Sequence, residues 1–273
     1  MSDLIRHFVY RLMHFAFFRS LARFPIAVGN LFRKALIRYT QEAKATAETN
    51  LWKNGLKGEL TVRSGPFAGM VYPSFQSFSS ARIPKLTGTY ESEIHADLER
   101  LLSKDYELII DIGAAEGYYA VGLALRKPSV PVRGFDLNPA AIEACRAMAS
   151  ANKARNLSVE TIFDTQEFRS FQDRNVLVIC DIDGGEAPLF ADIQPTKLNR
   201  TTLIIETHDY LDNTITPKLV ETFRPTHHVK IIPYKPNKLD ELPNYLSDHS
   251  REEKVIAVRE RIVDNKWLVI EPR

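Results

Sequence analysis

The sequence predicts an α/β protein: one doubly wound sheet of seven strands, preceded by a helical arm and a small β-hairpin. Three observations predict it. From residue 107 onward, short apolar runs of strand length alternate with amphipathic helical stretches. The polar residues that interrupt this pattern collect at one end of the strand-like runs, as acids and a histidine, rather than scattering over both ends. The composition, 44% hydrophobic and 26% charged over 273 residues, suits one large globular domain with an appendage.

Residues 1–57 read as a basic helical arm. Within "FVYRLMHFAFFRSLARF", Tyr10, Met13, Phe17, Leu21 and Phe24 make one apolar stripe, Arg11, Arg19 and Arg23 fall on the opposite arc, and Pro25 ends or kinks the helix. Residues 1–40 carry a net charge of +6 in a chain of +2, so the remainder is mildly acidic. Such a helix docks on the body or a second subunit, giving a homo-oligomer, or lies in the headgroup layer of an anionic membrane. A second helical stretch from Leu31 to about Asn54 links arm to body.

Residues 58–88 read as a hairpin around Gly65-Pro66 and a linker, and residues 89–273 as the main domain. It opens with a helix in "YESEIHADLERLLSK", with Ile94, Leu98, Leu101 and Leu102 on one face and Glu91 and Glu93 in the first turn, where the helix dipole favours acids. Strands are expected at 107–111, 132–136, 157–163, 175–181, 202–206, 228–233 and 267–270. Helices are expected between them at 117–126, 139–152, 165–172, 186–193, 216–223 and 251–262. Cys145 and Cys180 sit inside apolar patterns, away from any CxxC or histidine pairing, and read as reduced core residues of a cytoplasmic protein. No apolar run approaches the ~18 residues that span a bilayer, and no small-residue cleavage site marks a secretory signal.

In a doubly wound sheet the ligand lies beyond the carboxyl ends of the strands, so those ends carry the chemistry. "LIIDIGAAEGYYA" ends a strand on Asp111 and continues through Gly113 and Gly117, which bring bare backbone and helix-start N–H groups close to a ligand. Asp111 suits an amine-bearing ligand better than a phosphate, which favours S-adenosylmethionine, and the dinucleotide fingerprint GxGxxG is absent. Asp136 ends the second strand, where an acid meets ribose hydroxyls. Leu137 then packs on an adenine face, Asn138 and Pro139 start the next helix, and Asp164 is a candidate for the adenine amino group. "VLVICDIDGGEAPLF" brings Asp181 and Asp183 to the fourth strand end, and "TTLIIETHDY" brings Glu206 and His208 to the fifth. His208 is the candidate base for a substrate hydroxyl, oriented by Asp181 or Glu206. A surface or structural histidine is the plainer alternative. The Asn/Asp-Pro-Pro-aromatic stretch of base N-methylating enzymes is absent, against a DNA substrate.

These stretches resemble the FkbM-type family of class I S-adenosylmethionine-dependent methyltransferases, over about Gly88 to Tyr210. "DIGAAEGYYA" resembles its Asp-x-Gly-Ala-Asn-x-Gly loop, "GFDLNP" its second strand end, "CDIDGGEAPLF" its Asp-x-Glu-Gly-x-Glu stretch and "IIETH" its Ile-Glu-x-His. Ala115 and Glu116 replace the usual Asn and apolar residue, and Asp183 replaces Glu. The resemblance implies a Rossmann-like sheet with an antiparallel seventh strand. It also implies O-methylation of a small molecule or sugar, with the cofactor on Asp111, Gly113, Ala114, Ala115, Glu116, Gly117, Tyr118, Asp136, Leu137, Asp164 and Asp181. The catalytic candidates are His208, Asp181 and Glu206. No metal is assigned, although Asp181, Glu206 and His208 are types that hold Mg²⁺ or Mn²⁺. With the basic arm, the acceptor becomes a lipid-linked or surface glycan handled at the inner membrane face. The alternatives are an RNA or other nucleic-acid methyltransferase and a non-catalytic cofactor-binding partner subunit. Residues 222–254, with Tyr234 and Trp267, are expected to shape the acceptor pocket.

Overall fold

A computed structural model describes residues 38–39, 41–76, 80–239, 242–261 and 265–273. The amphipathic stripe at 8–24 lies outside these residues. No helix among the described residues is long and apolar enough to cross a membrane.

Seven strands form one sheet: β1 (Leu108–Ile112), β2 (Val132–Phe135), β3 (Leu157–Glu160), β4 (Val176–Cys180), β5 (Thr201–Thr207), β6 (His227–Pro233) and β7 (Lys266–Pro272), in the order β3-β2-β1-β4-β5-β7-β6. The first five run parallel, while β7 inserts antiparallel between β5 and β6. This is the expected doubly wound sheet, with the antiparallel seventh strand that the resemblance implied. Helix α1 (41–50) runs into a single wider turn at Leu51–Gly55. It is followed by α2 (Arg82–Thr87), α3 (His95–Leu102), α4 (Tyr118–Arg126), α5 (Pro139–Ala151), α6 (Glu186–Leu189), α7 (Ile215–Phe223) and α8 (Arg251–Val258).

The strands alternate between two cores because side chains alternate along a strand. Ile109, Leu177, Ile179, Ile204 and Trp267 face one, and Leu108, Ile110, Val178, Cys180, Ile205 and Leu268 face the other. The second core contains a chain of edge-to-face rings, Phe135–Phe163–Phe168–Phe171, joined through Phe190 to Phe223. Such pairs contribute about 0.5–1.5 kcal/mol each beyond their area. The first core takes in Leu51, Leu56, Val62, Phe67, Met70, Ile83 and Leu86. One core therefore runs across residues 57 and 88.

Five local expectations change. The hairpin is a loop closed by a single antiparallel bridge, Thr61 to Val71. The segment at 165–172 is a 3₁₀ turn over Thr165–Phe171, and the helix at 186–193 stops at Leu189, one residue after Pro188, whose missing N–H weakens it. Strand β3 ends at Glu160, and Thr161, Ile162 and Phe163 leave the sheet to line a cleft. Trp267 is fully buried within the sheet and does not line the cleft.

Candidate active site

A cleft of about 1130 Å³ opens at the carboxyl ends of β1, β2, β4 and β5. Its two halves are built differently. The first consists of the loops after β1, β2 and β3. Gly113 and Gly117 adopt φ of +91° and +98°. A Cβ on Gly113 would meet the Asp181 carbonyl oxygen at 1.8 Å, and one on Gly117 the Cys145 Sγ at 2.9 Å. Neither position can carry a side chain, because the loop crosses the exit of β4 and packs against α5; Gly113 lines the cleft with its backbone and Gly117 does not line it. Ala115 is left-handed at φ +46°, which explains a preference for Asn here: a short polar side chain tolerates that conformation better than alanine.

Asp136 receives the Ala115 N–H at Oδ2 (2.9 Å) and the Asn138 N–H at Oδ1 (2.8 Å). Each oxygen keeps a second lone pair for another donor. Asn138, not Asp136, caps α5 through Ala140 N. Leu137 and Ile162 line the cleft at 77% and 67% exposure, an unusual outlay of apolar surface. Ala114 and Tyr118 line it from the β1–α4 connection. Glu116 is buried, and Lys85 of α2 donates to its Oε1 at 2.5 Å, so this departure from the family pattern is matched by a cation from far upstream. Asp111 is buried on the α4 side of the sheet and does not line the cleft. Burial, then the charge of Asp181, push its carboxyl up to about 8. Asp164 is exposed, caps the 3₁₀ turn through Gln166 N and lies outside the cleft lining.

The second half is assembled across the sheet. Asp181, Glu206 and His208 follow the parity of Ile179 and Ile204, so all three project to the same side at adjacent strand ends. His208 is buried, and its Nδ1 donates to Glu186 Oε1 at 2.8 Å. Its Nε2 faces Asp183 Oδ1 at 3.4 Å, Asp181 Oδ1 at 3.6 Å and Glu206 Oε2 at 3.7 Å. The residue that orients His208 is therefore Glu186, at the start of α6, rather than Asp181 or Glu206. Burial pulls the His208 pKa down, but the hydrogen bond to Glu186 and the charges of Asp181, Glu186 and Asp183 outweigh it and leave it raised. Burial drives Glu186 up, and His208 with the Gly184 N–H more than reverses this. Asp181 is raised to about 7 by burial and by Glu91, against the pull of His208.

Arg261, beyond α8, ties this half together. Its Nη1 donates to Glu206 Oε1, which Asn265 Nδ2 also reaches at 3.1 Å, and its Nη2 donates to Glu91 Oε1. Glu91 is fully buried, takes the Tyr119 hydroxyl on its other oxygen, and sits at φ +51° outside the helix that it was expected to start. It is a buried anchor for Arg261 and Tyr119, not a dipole-favoured surface acid. The far wall comes from Glu260, Arg261 and Asn265, while none of the described residues from 222–254 lines the cleft. Glu91, Lys85, Arg261 and Asn265 were missed because nothing near them in sequence marks them. Glu186 did carry a signal, as the last acid of the Asp-x-Glu-Gly-x-Glu-like stretch.

No family model and no curated protein matches this sequence. Solved structures do align with it. An rRNA methylase from Streptococcus thermophilus shares 15% identity over 66% of this chain and 96% of its own, with a TM-score of 0.41. A precorrin-6y C5,15-methyltransferase from Geobacter metallireducens shares 14% over 66% and 89%, with a TM-score of 0.42. The O-methyltransferase TomG from Streptomyces achromogenes, involved in tomaymycin synthesis and solved with SAM, shares 11% over 69% and 82%, with a TM-score of 0.45. Likeness at this level is too slight to assign an activity or an acceptor, and the architecture rests on the strand order and register of the chain itself.

Proposed function

We propose that the protein is an S-adenosylmethionine-dependent methyltransferase acting on a hydroxyl of a sugar or other small molecule. The observation that carries this reading is the two-part cleft. It places Asp136 and the exposed Leu137–Ile162 pair at one end and Glu186-oriented His208 at the other. Leu137 and Ile162 fit the faces of an adenine, and the spare lone pairs of Asp136 fit ribose hydroxyls. Tyr118 and Ala114 lie between these and the acid-rich end. The volume exceeds the ~300–1,000 Å³ of a typical single-ligand site, leaving room for an acceptor beside the cofactor.

The cofactor supplies an electrophilic methyl group whose leaving sulfur needs no acid. The protein's task is to align the acceptor and remove its proton. With Nδ1–H held by Glu186, the neutral imidazole presents its Nε2 lone pair to the cleft, and the raised pKa strengthens it as a proton acceptor. Asp181 and Glu206 border the same space and fit hydroxyl donors. The lining carries six acidic residues against Lys85 and Arg261, which disfavours a nucleic-acid acceptor.

Calorimetry with S-adenosylmethionine, S-adenosylhomocysteine and NAD, beside Asp136→Ala, tests the reading. We expect binding of the first two, weakened at least about tenfold in the variant, and none of NAD. Absence of S-adenosylmethionine binding in folded protein removes the proposal. Full turnover by His208→Ala removes His208 from the proton step. The narrower reading, a lipid-linked or surface glycan at a membrane face, draws on the +6 charge of residues 1–40. Equal vesicle flotation with and without those residues eliminates it.

A further inference from the structure

The surroundings of His208 hold more than a proton acceptor requires. Three carboxylate oxygens, from Asp181, Asp183 and Glu206, stand around one ring nitrogen at 3.4–3.7 Å, and none makes a hydrogen bond with it. An imidazolium at Nε2 would draw at least one of them in, as Glu186 is drawn to 2.8 Å at Nδ1. Separations of about 3–3.6 Å are instead what neighbouring ligands adopt around one divalent ion at ~2.0–2.2 Å, a range that takes in Asp183 at 3.4 Å and Asp181 at 3.6 Å, with Glu206 just beyond it at 3.7 Å.

The second ring nitrogen adds an independent observation. Glu186 is fully buried and accepts from Nδ1, which fixes the tautomer whose Nε2 lone pair points away from it. A carboxylate behind the imidazole is the arrangement that orients histidines on metals. Glu206 is divided in the same sense. Arg261 and Asn265 occupy Oε1 and leave Oε2 toward His208.

We propose that Asp181, Glu206 and Nε2 of His208 hold a divalent cation, with Asp183 beside them as a water-mediated or fourth ligand. The three donors lie within 4.8 Å of one another. Two carboxylates and one imidazole suit Mn²⁺, with Mg²⁺ weaker because it gains less from nitrogen. The site itself stands on these distances; its consequence for chemistry rests on the methyl-transfer reading. There the cation would take the acceptor hydroxyl as a further ligand and lower its pKa, so the Nε2 lone pair would serve the metal rather than the proton.

The test is titration of chelator-treated full-length protein with Mn²⁺ alone, followed by loss of the free-ion electron paramagnetic resonance signal. We expect one saturable site, weakened at least about tenfold in Asp181→Asn and in His208→Gln. The echo-envelope spectrum of the wild-type complex should show imidazole-nitrogen coupling, a readout that needs no variant. No saturable binding, equal binding in both folded variants, or absence of nitrogen coupling overturns the proposal. Calorimetry with S-adenosylmethionine in the same preparations separates the two readings. Cofactor binding without Mn²⁺ binding sinks only the metal site and leaves His208 as the base. Mn²⁺ binding without cofactor binding sinks only methyl transfer.

Discussion

The two halves of the cleft do comparable jobs with opposite construction. The half after β1 and β2 is made of neighbours in sequence: Asp136 meets Asn138 two residues on and Ala115 twenty-one residues back. Its apolar surface is left bare, as at Leu137. The half after β4 and β5 is made of distant residues whose charges answer one another, with Arg261 reaching 170 residues back to Glu91 and 55 back to Glu206. Local turn chemistry suffices to leave an apolar side chain exposed in the cleft. Concentrating carboxylates around one histidine requires the whole sheet to be in register first.

If that contrast is right, the Lys85–Glu116 pair should behave as structure, although it stands beside the first half. Both side chains are almost fully buried, so Lys85→Met leaves Glu116 without its cation and should lower stability by about 3–5 kcal/mol in denaturant titrations. Adding Glu116→Gln should restore most of the loss. A single variant as stable as wild type would show that this charge is not held by Lys85.

Glu186→Gln probes the second half. The substitution removes the acceptor that fixes the His208 tautomer while preserving volume. Methyl transfer and Mn²⁺ affinity should each fall about 10- to 100-fold, with S-adenosylhomocysteine affinity unchanged. A parallel loss of cofactor affinity would mean that the halves are not separable.

Leu137→Ala makes the complementary cut. A side chain 77% exposed contributes little to folding, so stability should stay within about 0.5 kcal/mol. Affinity for S-adenosylhomocysteine should weaken by roughly 1 kcal/mol, about fivefold, through lost apolar contact. Unchanged affinity would move the adenine elsewhere.

The smallest effect belongs to a pair outside both halves. Glu271 of β7 accepts from Arg100 of α3 and from Lys104, which hold its carboxyl down, to about 2 from 4.5. A depressed carboxylate pKa contributes stability above about pH 4.5 that is lost as pH falls toward 2. Arg100 and Lys104 are each 46% exposed, so solvent screening keeps the contribution below about 1 kcal/mol. Melting of Glu271→Gln against wild type should show a small deficit that is constant above about pH 5 and shrinks under acid. A deficit that grew under acid would contradict the pairing.

Much of this protein was legible before its structure. All seven strands fall within a few residues of where apolar periodicity put them, because each is a local pattern of burial. Asp181, Glu206 and His208 were placed at the carboxyl ends of their strands by the same logic, and the register of β4 on β5 brings them together. The errors also have local causes. Trp267 looked like pocket lining because sequence does not reveal that it lies fully buried between neighbouring strands. Glu91 looked like a helix-start acid because nothing around it announces Arg261.

The sequence by itself determined the fold class, the approximate position of each strand end and the loop after β1 that borders the cleft, all properties of contiguous segments. Tertiary structure alone decided which acid orients His208, which cations accompany Glu116 and Glu206, and that Asp111 stays inside while Leu137 stands out. Those outcomes depend on strand order and register. They are set by the packing of the whole sheet rather than by any stretch of the chain.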